Sequence, residues 1–83
     1  MRARVYVTYK SGVLDPQGKA VRGGLNTLGF GEVGDVRQGK YFEIRLEEKD
    51  AAKARARVEE MCKKLLANPV MEDFRIEIDE RTA

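Results

Sequence analysis

The stretch "EVGDVRQGKYFEIRL", residues 32–46, decides the fold because it predicts a β-hairpin in the middle of the chain. Its second half alternates apolar with polar or aromatic residues, as in a strand with one buried face. A shorter strand is predicted over 33–37, and Gln38-Gly39 is predicted to form the turn. Gly39 would supply the positive φ of a tight hairpin turn. The residues of the second strand predicted to face inward are Phe42, Ile44 and Leu46.

A strand and a helix precede this hairpin, and a helix and a strand follow it. "RVYVTYK" (4–10) and "VMEDFRIEI" (70–78) both alternate with period two. The first helix is predicted to start at Asp15-Pro16, where the carboxylate caps free N–H groups, and to end at Gly29. The second is predicted to run from Asp50 to Asn68-Pro69. The apolar stripes of the two helices contain Val21, Leu25 and Leu28, then Ala51, Ala54, Val58, Met61, Cys62 and Leu65.

The predicted order is therefore β-α-β-β-α-β, the arrangement of ferredoxin-like folds. This is an α+β class of two layers, an antiparallel sheet with two helices on one face. We expect a single domain over 1–83, with a core over 2–78 and a frayed tail over 79–83.

Two nucleotide-binding patterns overlap in "GFGEVGDVRQGKYF" (29–42), but neither has the right context. GxGxxG must follow a strand and open a helix, whereas here a helix ends at Gly29 and a strand follows. GxxxxGK needs Ser or Thr next, and Tyr41 stands there. The glycines are therefore interpreted as turn and helix-stop residues.

Composition excludes several kinds of site. The 83 residues contain no histidine and one cysteine, Cys62, which excludes an intrachain disulfide and disfavours a metal site. No carboxylate cluster suggests catalysis, so a binding or structural subunit is favoured over an enzyme. So small a domain is expected to oligomerise. No apolar run is long enough to cross a membrane, the N-terminus lacks a signal-peptide core, and the lone thiol suggests the cytoplasm.

The outer face of the predicted sheet is the most informative surface. One hypothesis is an RNA-recognition module, because "VYV" (5–7) resembles its first strand motif and Tyr6 and Tyr41 both face outward. The net charge of +2 and the acids on that face oppose phosphate binding. A free-standing ligand-binding module is a further alternative. The residues expected to contact a partner or a second copy are Tyr6, Lys10, Lys40, Tyr41 and Arg45.

Three stretches together resemble the PurS family, the small subunit of phosphoribosylformylglycinamidine synthase. They are "GVLDPQGKAV" (12–21), "VRQGKYFEI" (36–44) and "MCKKLLANPVMEDFRIEI" (61–78), and the resemblance runs from Val5 to Ile78. It implies a non-catalytic subunit of de novo purine biosynthesis. Such a subunit forms a homodimer or a dimer of dimers and bridges a synthetase and a glutaminase subunit, so that ammonia passes between them.

The resemblance also implies roles for particular residues. Its matching motifs are interpreted mainly as architecture: Asp15 and Pro16 in "DP", Gly39 and Lys40 in "GK", and Asn68 and Pro69 in "NP", with Lys40 also available to a partner. No cofactor is expected in this chain, since ATP and magnesium belong to the synthetase subunit. Neither nucleic acid nor membrane is an expected partner.

Overall fold

The computed structural model describes residues 1–80, which form a three-stranded antiparallel sheet and two helices. The sheet order is β2-β1-β3, so the N-terminal strand lies in the centre. This confirms the α+β class and the two layers. The elements are β1 (Arg2–Tyr9), α1 (Pro16–Thr27), β2 (Lys40–Arg45), α2 (Ala51–Met61), which continues into a π-helical turn (Cys62–Leu66), and β3 (Glu72–Asp79).

The predicted strand over 33–37 is wrong, because this segment has no regular structure and β2 pairs with β1 instead. Its polar groups bond elsewhere. The Gln38 N–H donates to Asp15 Oδ2 (2.7 Å), and the Arg37 guanidinium donates to the Tyr9 carbonyl (3.0 Å). Gly34 and Asp35 are also poor strand formers. The predicted hairpin is therefore replaced by a strap, the segment that follows α1 as far as Gln38, which returns along α1.

The two glycines expected to have positive φ differ in the structure. Gly29 has a φ of 105° and ends α1, and the Phe30 N–H bonds to the Leu25 carbonyl (3.0 Å), as helix-ending motifs require. The prediction of a positive φ at Gly39 is wrong, since in the described residues only Gly12 and Gly29 have one. A Cβ on Gly39 would collide with the Val7 carbonyl oxygen, so close approach explains this glycine.

The core lies between α2 and one face of the sheet. Val5 and Val7 of β1 and Val58 and Cys62 of the second helical segment are fully buried. Burial, and then the charge of Glu59, raise the pKa of the Cys62 thiol. An inert buried thiol is what such surroundings produce. Among the described residues, the other buried apolar ones are Ala3, Ala54, Ala67 and Ile76.

The first helix does not join this core, contrary to the prediction of two helices on one sheet face. Of the α1 residues, only Gly18 is buried, while Val21 and the C-cap residue Leu28 are 43% and 76% exposed. We call residues 13–38, which comprise α1 and its returning strap, the arm. The arm gives the molecule extents of 48 × 28 × 14 Å and a radius of gyration of 16.1 Å. A compact chain of this length would have about 12 Å.

The C-terminal strand, predicted over 70–78, starts two residues later and ends one residue later than predicted. Asp79 still pairs with Arg2, so residue 79 belongs to the sheet and not to a frayed tail, and 81–83 lie outside the described residues. Within 1–80, no helix has both the length and the apolar character needed to span a membrane.

Candidate partner-binding surfaces

Asp15 anchors the base of the arm. Its side chain is 6% exposed, accepts the Gly18 N–H (2.9 Å) as the N-cap of α1, and accepts the Gln38 N–H (2.7 Å) from the far end of the strap. Pro16 follows in the first turn, where the missing N–H costs nothing. These hydrogen bonds, with Gln38 contributing most, lower the pKa of Asp15. The carboxylate therefore ties both ends of the arm together.

An aromatic and cationic stack occupies the centre of the outer sheet face, the face opposite α2. The rings of Tyr6 and Tyr41 lie 5.1 Å apart, and the Arg75 guanidinium carbon lies 4.2 Å from the centre of the Tyr6 ring. The Tyr6 hydroxyl donates to Glu77 (3.0 Å), and this bond, followed by burial, raises its pKa. The predicted outward orientation of both tyrosines places them side by side. Since Tyr41 is 49% exposed, its ring is the accessible part of the stack.

Charges of both signs surround this stack. Arg4 lies 3.3 Å from Asp79, and Arg75 lies 2.7 Å from Glu77. The Arg4–Asp79 pair is partly buried, whereas the Arg75–Glu77 pair is exposed, and exposed pairs add little stability. They make the face polar and nearly neutral, which suits a wet protein interface better than a phosphate backbone.

The remaining predicted contact residues divide between the two faces. Lys10 lies beside the outer face with its ammonium 2.8 Å from Asp73, and Arg45 is exposed at the end of β2. Lys40 is on the opposite face, because it pairs with Val7, and its ammonium donates to the Leu66 carbonyl (3.1 Å). The structure thus groups Tyr6, Lys10, Tyr41 and Arg45, and separates Lys40 from them.

Asn68 and Pro69 form the turn that directs β3. The Asn68 carboxamide accepts the Val70 N–H (3.0 Å), and the Asn68 N–H donates to the Glu72 carboxylate (2.8 Å). Glu72 also lies 3.5 Å from the Lys40 ammonium. The turn therefore joins the end of the helical segment to both edge strands. Residues 1–80 bring together no group of three or more side chains suited to hold a metal ion.

A second surface, which we call the α2 groove, was not anticipated from the sequence. It has a volume of about 350 Å³ and is lined by apolar side chains of β2, of α2 and of the π-helical turn that follows α2. Leu65, predicted to lie on the apolar stripe of the second helix, is 84% exposed here, because the π-helical turn, in which the Ala67 N–H bonds to the Cys62 carbonyl, shifts it away from that stripe. In the sequence, the signal for this groove is Leu65 itself, an apolar residue that continues the stripe of the second helix. The apolar lining is Ile44, Met61, Leu65 and Leu66, and the rim is Arg57, Glu60 and Lys64.

Comparison with known proteins decides the family. The PurS family model, described as phosphoribosylformylglycinamidine (FGAM) synthase, matches residues 2–80. The chain belongs to the PurS family. It is 49% identical over 82 residues to the PurS subunit of Bacillus subtilis, covering 99% of this chain and 96% of the relative. It is 43% identical to that of Methanocaldococcus jannaschii, covering 95% of each.

Solved PurS structures have the same fold. The M. jannaschii PurS, a subunit of formylglycinamide ribonucleotide amidotransferase in purine biosynthesis, superposes with a TM-score of 0.87 at 44% identity over 95% of each chain. A chain of the PurLQS structure from Thermotoga maritima gives 0.83 at 30% identity, over 92% of this chain and 93% of that one. The ferredoxin-like α+β prediction and the PurS resemblance are confirmed. The chain is a PurS subunit of FGAM synthase in purine biosynthesis, and a free-standing ligand- or RNA-binding module is not favoured.

Proposed function

We propose that this PurS chain is the non-catalytic subunit that bridges the synthetase and glutaminase subunits of FGAM synthase. The observation that carries the proposal is the match along nearly the whole chain to a subunit of the T. maritima PurLQS structure. By holding the two larger subunits together, the bridge lets ammonia released from glutamine reach the synthetase site. The ATP and magnesium belong to the synthetase subunit, and the complex works in the cytoplasm.

The chain forms a homodimer in this role, with a dimer of dimers as the larger form. Eight buried apolar residues within 1–80, together with a protruding arm, make a thin core for a domain of this size. Small domains of this kind gain stability from oligomerisation. A dimer also offers two copies of each contact surface.

The outer sheet face contacts the larger subunits. Tyr41 presents an exposed ring, and Tyr6 beside it is held in place by Arg75 and Glu77, so the stack is organised before binding. Rigid aromatic anchors surrounded by polar groups are typical of protein interfaces. Lys10 and Arg45 lie at the margin of this face. Lys40 is left out, since its ammonium is engaged by Leu66 and Glu72.

The bridging role is tested by mixing the chain with the synthetase and glutaminase subunits from the same source. We expect glutamine-dependent FGAM formation only when the chain is present, while ammonia supports the reaction without it. The measurement is product formation with each nitrogen donor. Equal use of glutamine in the absence of the chain would overturn the bridge.

The role of the outer face is tested by Tyr41→Ala. We expect the affinity for the larger subunits to fall by about tenfold or more, because an exposed aromatic anchor is removed. The cost in stability is expected to be below about 1 kcal/mol, the value of a cross-strand pair. Titration calorimetry and thermal unfolding measure the two effects. Lys53→Ala, on the exposed side of α2, is the control, and an equal loss in both variants would contradict the assignment.

A further inference from the structure

A small pocket, which we call the arm pocket, lies between the start of α1 and the strap. Its volume is about 230 Å³, less than that of pockets that hold drug-sized ligands. It shares no lining residue with the α2 groove or with the aromatic stack of the outer sheet face. Its apolar lining is Val13, Leu14 and Val36, and its charged lining is Asp15, Lys19, Arg22, Asp35 and Arg37.

Close contacts fix the shape of the arm pocket. A Cβ on Gly18 would collide with the Val36 carbonyl oxygen, so α1 and the strap touch at this point. Asp15 joins the start of α1 to the end of the strap by accepting the Gln38 N–H (2.7 Å). The pocket is therefore formed before a ligand arrives, which lowers the ordering cost of binding.

Lys19 and Arg22 supply positive charge from α1. They are three positions apart, so they are neighbours on one side of the helix, where like charges destabilise it slightly. Lys19 also lies in the first turn, where the helix dipole disfavours a cation. Residues 16–27 contain no acid, and in the part of the chain that the structure describes neither side chain has an ion pair or a hydrogen bond. A bound anion would offset these costs.

Arg37 supplies a third cation from the strap, and its guanidinium is held in one orientation. Its Nη2 donates to the Tyr9 carbonyl (3.0 Å) and to the Lys10 carbonyl (3.2 Å). The N–H groups of Nη1 and Nε have no acceptor among residues 1–80. A planar guanidinium can donate two parallel hydrogen bonds to a phosphate. Three cations thus line the pocket, and one of them is oriented in advance.

The two carboxylates of the arm pocket differ in what they bind. Asp15 is 6% exposed, and its two oxygens accept the Gly18 and Gln38 N–H groups. Asp35 is exposed, and its side chain has no hydrogen bond or ion pair within the described residues. Its charge opposes a bare anion, but its oxygens can accept hydrogen bonds from hydroxyl groups. The pocket therefore suits a molecule that carries both a phosphate and hydroxyl groups.

We propose that the arm pocket binds a phosphorylated sugar, with the phosphate at Lys19, Arg22 and Arg37 and the hydroxyl groups at Asp35. An acidic segment of a partner protein is not favoured, because a carboxylate side chain brings no donor for Asp35. The cations come from both α1 and the strap, so the bound phosphate would join the two and stiffen the arm. The site lies apart from the outer sheet face, so it is additional to the bridging role.

The site is tested by titrating the full-length chain with ribose 5-phosphate, ribose and inorganic phosphate. We expect ribose 5-phosphate to bind saturably with a dissociation constant below about 1 mM, and ribose not to bind. Calorimetry measures the affinity, and NMR should show amide shifts confined to residues near the arm pocket. Arg22→Gln should weaken binding by at least about tenfold, since it removes a charge-assisted hydrogen bond. Lys53→Gln removes the same charge from the exposed side of α2 and should change the affinity by less than about twofold.

Asp35→Asn tests the sugar part of the proposal. In the original chain, ribose 5-phosphate should bind at least about fivefold more tightly than inorganic phosphate, because only the sugar donates to Asp35. Removing the carboxylate charge should tighten the binding of inorganic phosphate by about threefold. Ribose 5-phosphate should gain less, since asparagine has only one acceptor oxygen. The preference for the sugar phosphate should therefore fall in this variant.

The outcomes separate this inference from the proposed function. No saturable binding of ribose 5-phosphate, or an equal loss in Arg22→Gln and Lys53→Gln, overturns the site. Inorganic phosphate that binds as tightly as ribose 5-phosphate overturns the sugar as occupant and makes free phosphate the ligand. If neither phosphate binds and Arg22→Gln lowers glutamine-dependent product formation in the complex, the cations contact a partner protein and the proposal fails. The bridging role itself is judged by product formation in the unmodified complex, whichever ligand binds.

Discussion

Gly39→Ala is expected to lower the free energy of unfolding by about 2–3 kcal/mol, although the new methyl group is small. Gly39 precedes β2 and crosses close to the central strand, where a Cβ would collide with the Val7 carbonyl oxygen and lie 3.1 Å from Thr8 Cγ2. Val7 is fully buried and hydrogen-bonded between two strands, so its backbone cannot move aside. For a domain of this size, the melting temperature would fall by roughly 10–20 °C. Thermal and urea unfolding measure this loss.

Two further substitutions show whether close approach is the cause. Gly34→Ala, in the same strap, has no atom within 4 Å of its Cβ position and no positive φ. It should be neutral or more stable by about 0.4–1 kcal/mol, since alanine restricts the unfolded chain. Gly39→Asn should be at least as damaging as Gly39→Ala. If asparagine were tolerated and alanine were not, Gly39 would need a left-handed backbone instead, because asparagine adopts that conformation more readily.

The ends of the helices are predictable from this sequence because their signals are local. Asp15 caps α1, Gly29 ends it, and Asp50 caps α2 through the Ala52 N–H (3.0 Å). Each of these acts on residues within a few positions of itself. Asn68-Pro69 likewise follows the last helical residue closely. Local hydrogen bonds and fixed dihedral angles depend little on the rest of the fold.

The arm could not be predicted, because periodicity identifies an apolar helix face but not what covers it. Val21 and Leu28 have the same spacing whether they contact their own sheet or another chain. The segment 33–37 contains Val33 and Val36, but Asn26 donates to the Val33 carbonyl and Asp15 accepts the N–H of the following Gln38, so both ends of the segment are bonded to the arm's own residues. Both errors concern long-range contacts, which single-sequence patterns do not specify.

The candidate surfaces could likewise be predicted only where their residues follow a local pattern. Alternation along β1 and β2 is enough to place Tyr6 and Tyr41 on one face, because neighbours across a ladder share a side. It does not reveal that Arg75 covers Tyr6, since that contact joins strands far apart in sequence. Lys40 follows the same alternation onto the inner face. Its bond to the Leu66 carbonyl depends on where α2 ends in space.

Asp15→Ala is expected to loosen the arm while the sheet and α2 remain folded. The substitution removes the N-cap of α1 and the bond to Gln38 at once, so the two ends of the arm are no longer tied to each other, while the Arg37 bonds to the Tyr9 and Lys10 carbonyls remain. Loss of a cap alone should lower the melting temperature by about 5 °C. Hydrogen exchange should show faster exchange at Gly18 and Gln38 and unchanged protection in β1. Uniform loss of protection along the chain would mean that the arm and core unfold together.

Asp15→Asn separates the two bonds, because asparagine caps helices as well as aspartate does but has only one side-chain oxygen to accept. It should retain the α1 cap and lose the carboxylate's bond to Gln38, giving a smaller loss of stability than alanine.

The pH dependence of stability follows from the lowered pKa of Asp15. The unfolded carboxyl titrates near about 3.9, so the stability that it contributes is complete above that pH and is lost as pH falls through the folded pKa. The difference between the original chain and Asp15→Asn should therefore be constant from pH 7 to 5 and shrink below about pH 4. A difference that does not change with pH would show that the carboxylate charge plays no part in holding the arm.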